Sequence, residues 1–174
     1  MATSKRPDIP GRHEVDPLDA RAARVAALNA LARRDHASPE LREKLIDKGY
    51  DAPLVDALIE RLVAEKLLDD RRYLQNFVAY HAARGQGPNR VRIDLRKRGL
   101  RTPDAESALD AYPDWMAHLK RARQKKFGTS LPTNYADRQR QAKFLAYRGF
   151  TGAQIRGALG FDTDLDAADT IEDL

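Results

Sequence analysis

Residues 95–100 of this chain read Leu-Arg-Lys-Arg-Gly-Leu. The same pattern of a leucine, a cation, a glycine and a large apolar residue stands fifty positions earlier, as Leu-Ile-Asp-Lys-Gly-Tyr over 45–50, and fifty positions later, as Leu-Ala-Tyr-Arg-Gly-Phe over 145–150. A regular interval of this size is typical of an array of similar modules, each too small to bury its apolar face alone. The repeat therefore predicts three stacked modules of one kind.

The composition favours helices and excludes several classes of protein. Alanine, leucine and arginine dominate, and β-branched residues are sparse. There is no cysteine, which excludes disulfides and thiolate chemistry and suits a reducing compartment. No apolar run approaches the roughly 18 residues of a membrane span, and residues 1–17 lack the apolar segment of a signal peptide. We therefore expect a cytoplasmic protein that does not bind membranes.

The formal net charge of +5 is unevenly distributed along the chain. Residues 1–70 carry 12 basic and 14 acidic side chains, whereas 71–113 carry nine and four, and 114–160 carry ten and two. Residues 161–174 carry six acidic side chains and no basic one. Basic charge concentrated in two adjacent modules favours a polyanionic partner.

The chain is predicted to be all-α, with nine helices in three groups of three. Because each module leans on its neighbour by a similar rotation, we expect an elongated and curved array. The predicted segments are a disordered arm over 1–17, three-helix modules over 18–68, 69–113 and 114–160, and a loose acidic tail over 161–174.

Apolar spacing and capping residues predict the individual helices. In the first module, a helix over 18–34 is expected to bury Val25, Leu28 and Ala32, while Ser38 and Asp51 cap the next two helices. In the second module, Val91 and Leu95 are expected to point inward and Thr102 starts a helix. In the third, Trp115, Leu119 and Ala122 form one apolar stripe and Thr151 caps the last helix.

The Gly85-Gln86-Gly87 segment superficially resembles a phosphate-binding loop. It lacks the third glycine of a dinucleotide fingerprint, because position 90 is Arg90, and it lacks the Gly-Lys-Ser/Thr of nucleotide hydrolases. We expect an ordinary helix start whose free amides could still meet an anion. No other pattern indicates catalysis, and the four histidines (His13, His36, His81 and His118) have no metal-ligand spacing. The chain is therefore predicted to have no catalytic residue, metal or cofactor.

Basic side chains are the better candidates for function. On the short second helix of module two, one face consists of Val91, Leu95 and Arg98, flanked by Arg92 and Arg96 on one side and by Arg90 and Lys97 on the other. The stem of Arg98 can lie over apolar surface. Module three adds Lys120, Arg121, Arg123, Lys125, Lys126, Arg138, Arg140 and Lys143. The aromatic residues mostly fall at core spacing, so we expect contact with phosphates or an acidic protein surface rather than base stacking.

Several segments resemble the RecX regulatory protein family. The central ones are Leu-Leu-Asp-Asp-Arg-Arg-Tyr over 67–73, Arg-Gly-Gln-Gly-Pro-Asn-Arg-Val over 84–91 and Leu-Arg-Lys-Arg-Gly over 95–99. Residues 31–41 look like the first module of that family, and residues 125–128 and 144–150 look like its third. The match covers roughly residues 20–160.

The resemblance implies a curved monomer of three three-helix modules that binds in the groove of the RecA recombinase filament on single-stranded DNA. There it would span subunits, inhibit strand exchange and ATP hydrolysis, and promote filament shrinkage. The family has no catalytic residue. Its basic surfaces suggest as contacts Arg84, Arg90, Arg92, Arg96, Lys97, Lys125 and Lys126.

Two other functions remain open on the sequence. A direct DNA-binding protein of helix-turn-helix type would use basic short helices in three-helix units. A helical adaptor would bind some other acidic partner. Weak direct contact with DNA is also compatible with the recombinase regulator.

Overall fold

The structure, a computed structural model, describes residues 15–160. Over this range the chain forms nine helices and no strand. They are α1 (Ala20–Leu31), α2 (Ser38–Asp47), α3 (Ala52–Ala64), α4 (Asp70–Ala83), α5 (Pro88–Lys97), α6 (Pro103–Asp110), α7 (Trp115–Phe127), α8 (Tyr135–Tyr147) and α9 (Gly152–Leu159). The predicted all-α fold of three three-helix groups is confirmed. In the part that the structure describes, no helix is both long and apolar enough to cross a bilayer.

The repeated glycine ends the second helix of every module. Gly49, Gly99 and Gly149 have φ angles of 102°, 77° and 88°, a left-handed backbone that glycine adopts without strain. In each case the next amide donates back to the leucine carbonyl five residues before it, at 3.1–3.3 Å. This is the Schellman arrangement, and the apolar pair that closes it is buried in all three modules.

The first helix of module one buries a different face from the predicted one. Its buried residues are Ala23, Ala27 and Ala30. Val25 is 52% exposed, and Leu28 and Ala32 are exposed as well. Alanines let α1 approach α2 and α3 closely, so the small side chains face inward and the larger ones remain outside. The prediction was wrong because apolar spacing along one helix does not show which of its faces the neighbouring helices cover.

One of the two predicted caps of module one is wrong, because Ser38 is already helical and Ala37 is the N-cap. Asp51 is the N-cap of α3 as predicted, but its side chain makes no cap bond. In the other modules Thr102 and Thr151 accept from the amides of Ala105 and Gln154, and both caps are confirmed.

The predicted arm and tail lie mostly outside the described residues. At residues 15–17, the end of the predicted arm, Val15 is half-buried, whereas Asp16 and Pro17 are exposed. Val15 packs against the core of module one, and the Pro17 carbonyl accepts from the Asp51 amide at 3.0 Å. Helix α1 then begins at Ala20, capped by Asp19, whose carboxylate accepts from the Ala22 amide at 2.8 Å.

The chain divides into two compact units, one ending at Leu68 and one beginning at Asp69. The first unit contains α1–α3. The second contains α4–α9, so that two three-helix groups form one body. The module boundaries proposed from the sequence and the elongated, curved shape of the array stay predictions.

Candidate partner-binding surfaces

The Gly85–Gly87 loop joins the two halves of the second unit instead of binding an anion. The Gly87 amide donates to the Arg148 carbonyl at 2.8 Å, and the Asn89 amide donates to the Gly149 carbonyl at 2.9 Å. The positive end of α5 thus meets the negative end of α8. Because these two amides already have carbonyl partners, our expectation that this helix start offers them to an anion was wrong.

Glycine is required on both sides of this joint. A Cβ on Gly87 would lie 2.3 Å from the Phe150 nitrogen, and a Cβ on Gly149 would lie 2.5 Å from the Cβ of Arg90. Both distances are shorter than any non-bonded contact of a real side chain. Sequence spacing gave no sign of this joint, because its two glycines are far apart along the chain.

The arginines of α5 are paired with carboxylates of their own unit. Arg92 is half-buried, and its Nε donates to Glu106 Oε2 at 2.8 Å. The Arg96 guanidinium lies 3.8 Å from the other oxygen of Glu106, and Arg90 Nε lies 3.5 Å from Asp94. Thus much of the positive charge predicted on this helix is compensated locally.

An apolar side chain lies among these cations. Ile93 is 46% exposed on α5, three residues after Arg90 and four before Lys97. We call Arg90, Ile93, Arg96 and Lys97 the α5 surface. Ile93 was not predicted as a surface residue from the sequence. The signal that could have found it is an apolar residue at a position outside the inward face of Val91 and Leu95.

The remaining predicted contacts lie at helix ends. Arg84 follows α4, and its guanidinium donates to the Tyr80 hydroxyl at 3.0 Å. Lys125 and Lys126 are exposed in the last turn of α7, with no ion pair to any residue between 15 and 160. Arg98 lies 5.2 Å from the Phe77 ring centroid, which confirms that its side chain covers apolar surface.

Arg123 does not belong to the basic surface. It is only 3% exposed, and its guanidinium donates to the carbonyls of Thr129 and Ser130 and to the side chain of Gln141, at 2.9–3.1 Å. These bonds hold the loop between α7 and α8. The charged side chain of Arg123 therefore stabilises the fold, because fixed carbonyl oxygens accept the hydrogen bonds that water would accept at the surface.

Most aromatic residues between 15 and 160 are buried or half-buried, as their spacing predicted, but three tyrosines are exposed. Tyr73, Phe77 and Trp115 are buried. Tyr80, Tyr135 and Tyr147 are exposed, and Tyr147 reaches 77%. On α8 the inward positions are taken by Gln141 and Leu145, so Tyr147 points away from the core.

The described histidines form no metal site. His36 is buried, and its Nδ1 lies 2.9 Å from the Arg34 carbonyl. Burial lowers the pKa of His36, and so does the nearby charge of Arg34. Within residues 15–160, no group of three His, Asp or Glu side chains could hold a metal ion.

Comparison with known proteins places the whole helical region in one family. Models described as the first, second and third three-helix domains of RecX match residues 23–62, 69–109 and 114–159. "Regulatory protein RecX" of Pseudomonas savastanoi pv. phaseolicola is 45% identical over 130 residues, covering 74% of this chain and 84% of that protein. The protein of the same name from Ectopseudomonas mendocina is 43% identical over 141 residues, covering 78% and 94%.

Solved structures share the fold. The crystal structure of RecX from Lactobacillus salivarius superimposes with a TM-score of 0.71 at 21% identity, over 82% of this chain and 95% of that one. A second crystal structure of a regulatory protein RecX gives 0.65 at 18% identity, over 81% and 71%. On the three matching domains and the close relatives, this chain belongs to the RecX regulatory protein family.

Proposed function

We propose that this protein binds the RecA filament on single-stranded DNA and inhibits its strand exchange and ATP hydrolysis. It acts as a regulator without chemistry of its own, as a monomer in the cytoplasm. Membership of a regulatory family supports this role, and the α5 surface is the observation that carries it at residue level. A repeating filament offers periodic sites, so a chain of three modules can make several weak contacts at once.

The α5 surface has the composition of a protein-binding site. Ile93 supplies an exposed apolar centre, and Arg90, Arg96 and Lys97 supply a polar, charged rim. Such an apolar centre within a polar rim is typical of protein–protein contacts. We propose that the other four predicted cations, Arg84, Arg92, Lys125 and Lys126, also support the complex, with Arg92 acting mainly through its hold on Glu106.

The helix-turn-helix alternative is less well supported by the same contacts. A helix that reads duplex DNA needs its arginines free to reach phosphates and bases. Arg92 and Arg96 share Glu106 instead. That alternative requires tight binding to naked duplex, with a log–log salt slope of about 0.9 for each neutralised phosphate.

The proposal is tested by ATP hydrolysis of RecA on single-stranded DNA, with this protein added from substoichiometric to equimolar amounts. We expect the rate to fall and the filaments seen by electron microscopy to shorten. Naked duplex of the same length should bind far more weakly than the filament. An unchanged rate together with an unchanged filament length would refute the proposed function.

A further inference from the structure

Helix α7 carries cations along its outward side. Its exposed residues at the i, i+3, i+4, i+7, i+8 spacing are Ala117, Lys120, Arg121, Gln124 and Lys125. This spacing places all five on one side of the helix. We call these five residues the α7 row. Because residues 115–127 contain no acidic side chain, nothing on the helix itself balances the charge of the row.

The cations of the α7 row also lack partners elsewhere in the described structure. Lys120, Arg121 and Lys125 form no ion pair with any residue between 15 and 160. Arg121 and Lys125 are four residues apart, a spacing at which like charges repel each other. On α8, by contrast, Arg140 pairs with Asp137 at 2.9 Å. A negatively charged segment therefore gains most at the α7 row.

The end of the described chain lies beside the start of this row. Helix α9 packs against α7, and a Cβ on Gly157 would lie 3.5 Å from Met116 Cε. Helix α9 then ends at Gly160, which has a left-handed backbone with φ 68° and open space around it. The chain thus continues from a point near the first turn of α7, where Ala117 begins the row.

The segment that continues from this point is acidic and long enough to follow the row. Residues 161–174 carry six carboxylates and no basic side chain. Fourteen residues can span up to about 46 Å, whereas the 13 residues of α7 extend over about 20 Å. Charge and reach both match the α7 row to this segment.

We propose that residues 161–174 dock on the α7 row of their own chain. Their carboxylates contact Lys120, Arg121 and Lys125 through charge. Exposed ion pairs are individually weak, but the covalent link gives the segment an effective concentration in the millimolar range. The docked segment shields Lys125 from an external polyanion, so it acts as an internal competitor. This inference goes beyond the proposed function, because the contact forms in the isolated chain.

Paramagnetic broadening of amide signals in the full-length protein tests the contact. The chain has no cysteine, so Ala168→Cys provides a single site for a nitroxide label and keeps all six carboxylates. At about 0.15 M salt, amide signals of residues 117–125 should lose about half of their intensity or more. The intensity should return at about 1 M salt, where the Debye length is only about 3 Å.

Two matched triple variants of the labelled protein separate the α7 row from other cations. The first neutralises the row with Lys120→Gln, Arg121→Gln and Lys125→Gln, and it should abolish the broadening. The second neutralises three exposed cations of the first unit, with Arg33→Gln, Lys44→Gln and Lys48→Gln, and it should keep the broadening. Circular dichroism checks that both variants are folded.

The shielding is tested by calorimetric titration with inorganic polyphosphate. Replacing the six carboxylates of residues 161–174 by amides should raise polyphosphate affinity about threefold. The same replacement in the variant with a neutralised α7 row should give a smaller gain, because there is no longer a charged row to shield. Equal gains in the two backgrounds would reduce the effect to net charge and would overturn the shielding.

Three results would overturn the docking itself. The first is no broadening of residues 117–125 at low salt. The second is broadening that persists after the α7 row is neutralised. The third is equal broadening of an isotope-enriched, unlabelled chain mixed with spin-labelled chain, because that would make a second copy the occupant. None of these measurements involves RecA, so failure here is distinct from failure of the proposed function.

Discussion

The α5 surface and the outward side of α8, which we call the α8 face, both present cations from the second unit, yet their surroundings differ. The α8 face consists of Arg140, Lys143, Phe144, Tyr147 and Arg148. On α5, Glu106 holds two arginines, and Ile93 is the exposed apolar group between the cations. On α8, Lys143 has no carboxylate partner in the described structure, and the exposed ring is that of Tyr147. The number of basic residues alone does not separate the two surfaces. The two surfaces differ instead in their neighbouring carboxylates and in the uncharged side chain that each of them exposes.

The largest expected effect is on the free energy of unfolding, and it distinguishes the buried face of α5 from its exposed face. Leu95 is fully buried, so Leu95→Ala should lower the free energy of unfolding by about 2–5 kcal/mol. Ile93→Ala, two residues away on the outside, should change it by less than about 0.5 kcal/mol. Urea unfolding measures both variants. Equal losses would show that Ile93 belongs to the core and is no contact surface.

The second prediction breaks the joint that holds α5 to α8. Gly149→Ala places a Cβ against the Arg90 backbone in a left-handed conformation, and we expect a loss of about 3 kcal/mol. Gly160→Ala is the control, because Gly160 has φ 68° but open space around it. That control should cost only about 1 kcal/mol of strain. Similar melting temperatures for the two variants would contradict the close approach.

The third prediction concerns a variant that removes the carboxylate beside two arginines of α5, so that this helix becomes more like the α8 face. Glu106→Gln releases Arg92 and Arg96, so oligonucleotide affinity should rise about threefold and the salt slope by about 0.7. The lost ion pairs are partly exposed and should cost only about 0.5 kcal/mol of stability. Anisotropy titrations at several salt concentrations provide the measurement. If affinity and slope stay at wild-type values, carboxylate pairing does not distinguish the surfaces.

The smallest effect concerns the first unit, which contains neither surface. Burial lowers the pKa of His36, so the folded state favours the neutral imidazole. The stability from this group is present above about pH 6.5, the unfolded value, and is lost as the pH falls through the folded pKa. Hydrogen exchange of α1–α3 amides should therefore speed up from pH 7 to pH 5 relative to α4–α9, after correction for intrinsic rates. His36→Gln should remove that difference, and a difference that persists in the variant would rule out His36 as its source.

The module plan could be predicted from the sequence because its signals are local. A leucine, a cation, a glycine and an apolar residue define one helix end, and the Schellman bonds at Gly49, Gly99 and Gly149 follow from that pattern. The face of α1 could not be predicted in the same way. Its alanines are buried because two other helices approach closely, which is a property of the packed unit.

The candidate surfaces were only partly predictable for a similar reason. Basic residues mark a region of the chain, but their roles depend on distant partners. Arg123 is buried because loop carbonyls accept hydrogen bonds from its guanidinium group. The charge of Arg92 is compensated because Glu106 of α6 lies beside it. The Gly87–Arg148 bond likewise joins segments far apart in sequence.

The most direct test of the division between the two surfaces is RecA ATP hydrolysis on single-stranded DNA, titrated with wild type and Ile93→Asp. If Ile93 is the centre of the protein contact, the variant should need at least about 30-fold more protein for half-inhibition. Its affinity for a free oligonucleotide should stay within about twofold of wild type. Inhibition by Ile93→Asp at wild-type concentrations would contradict the account.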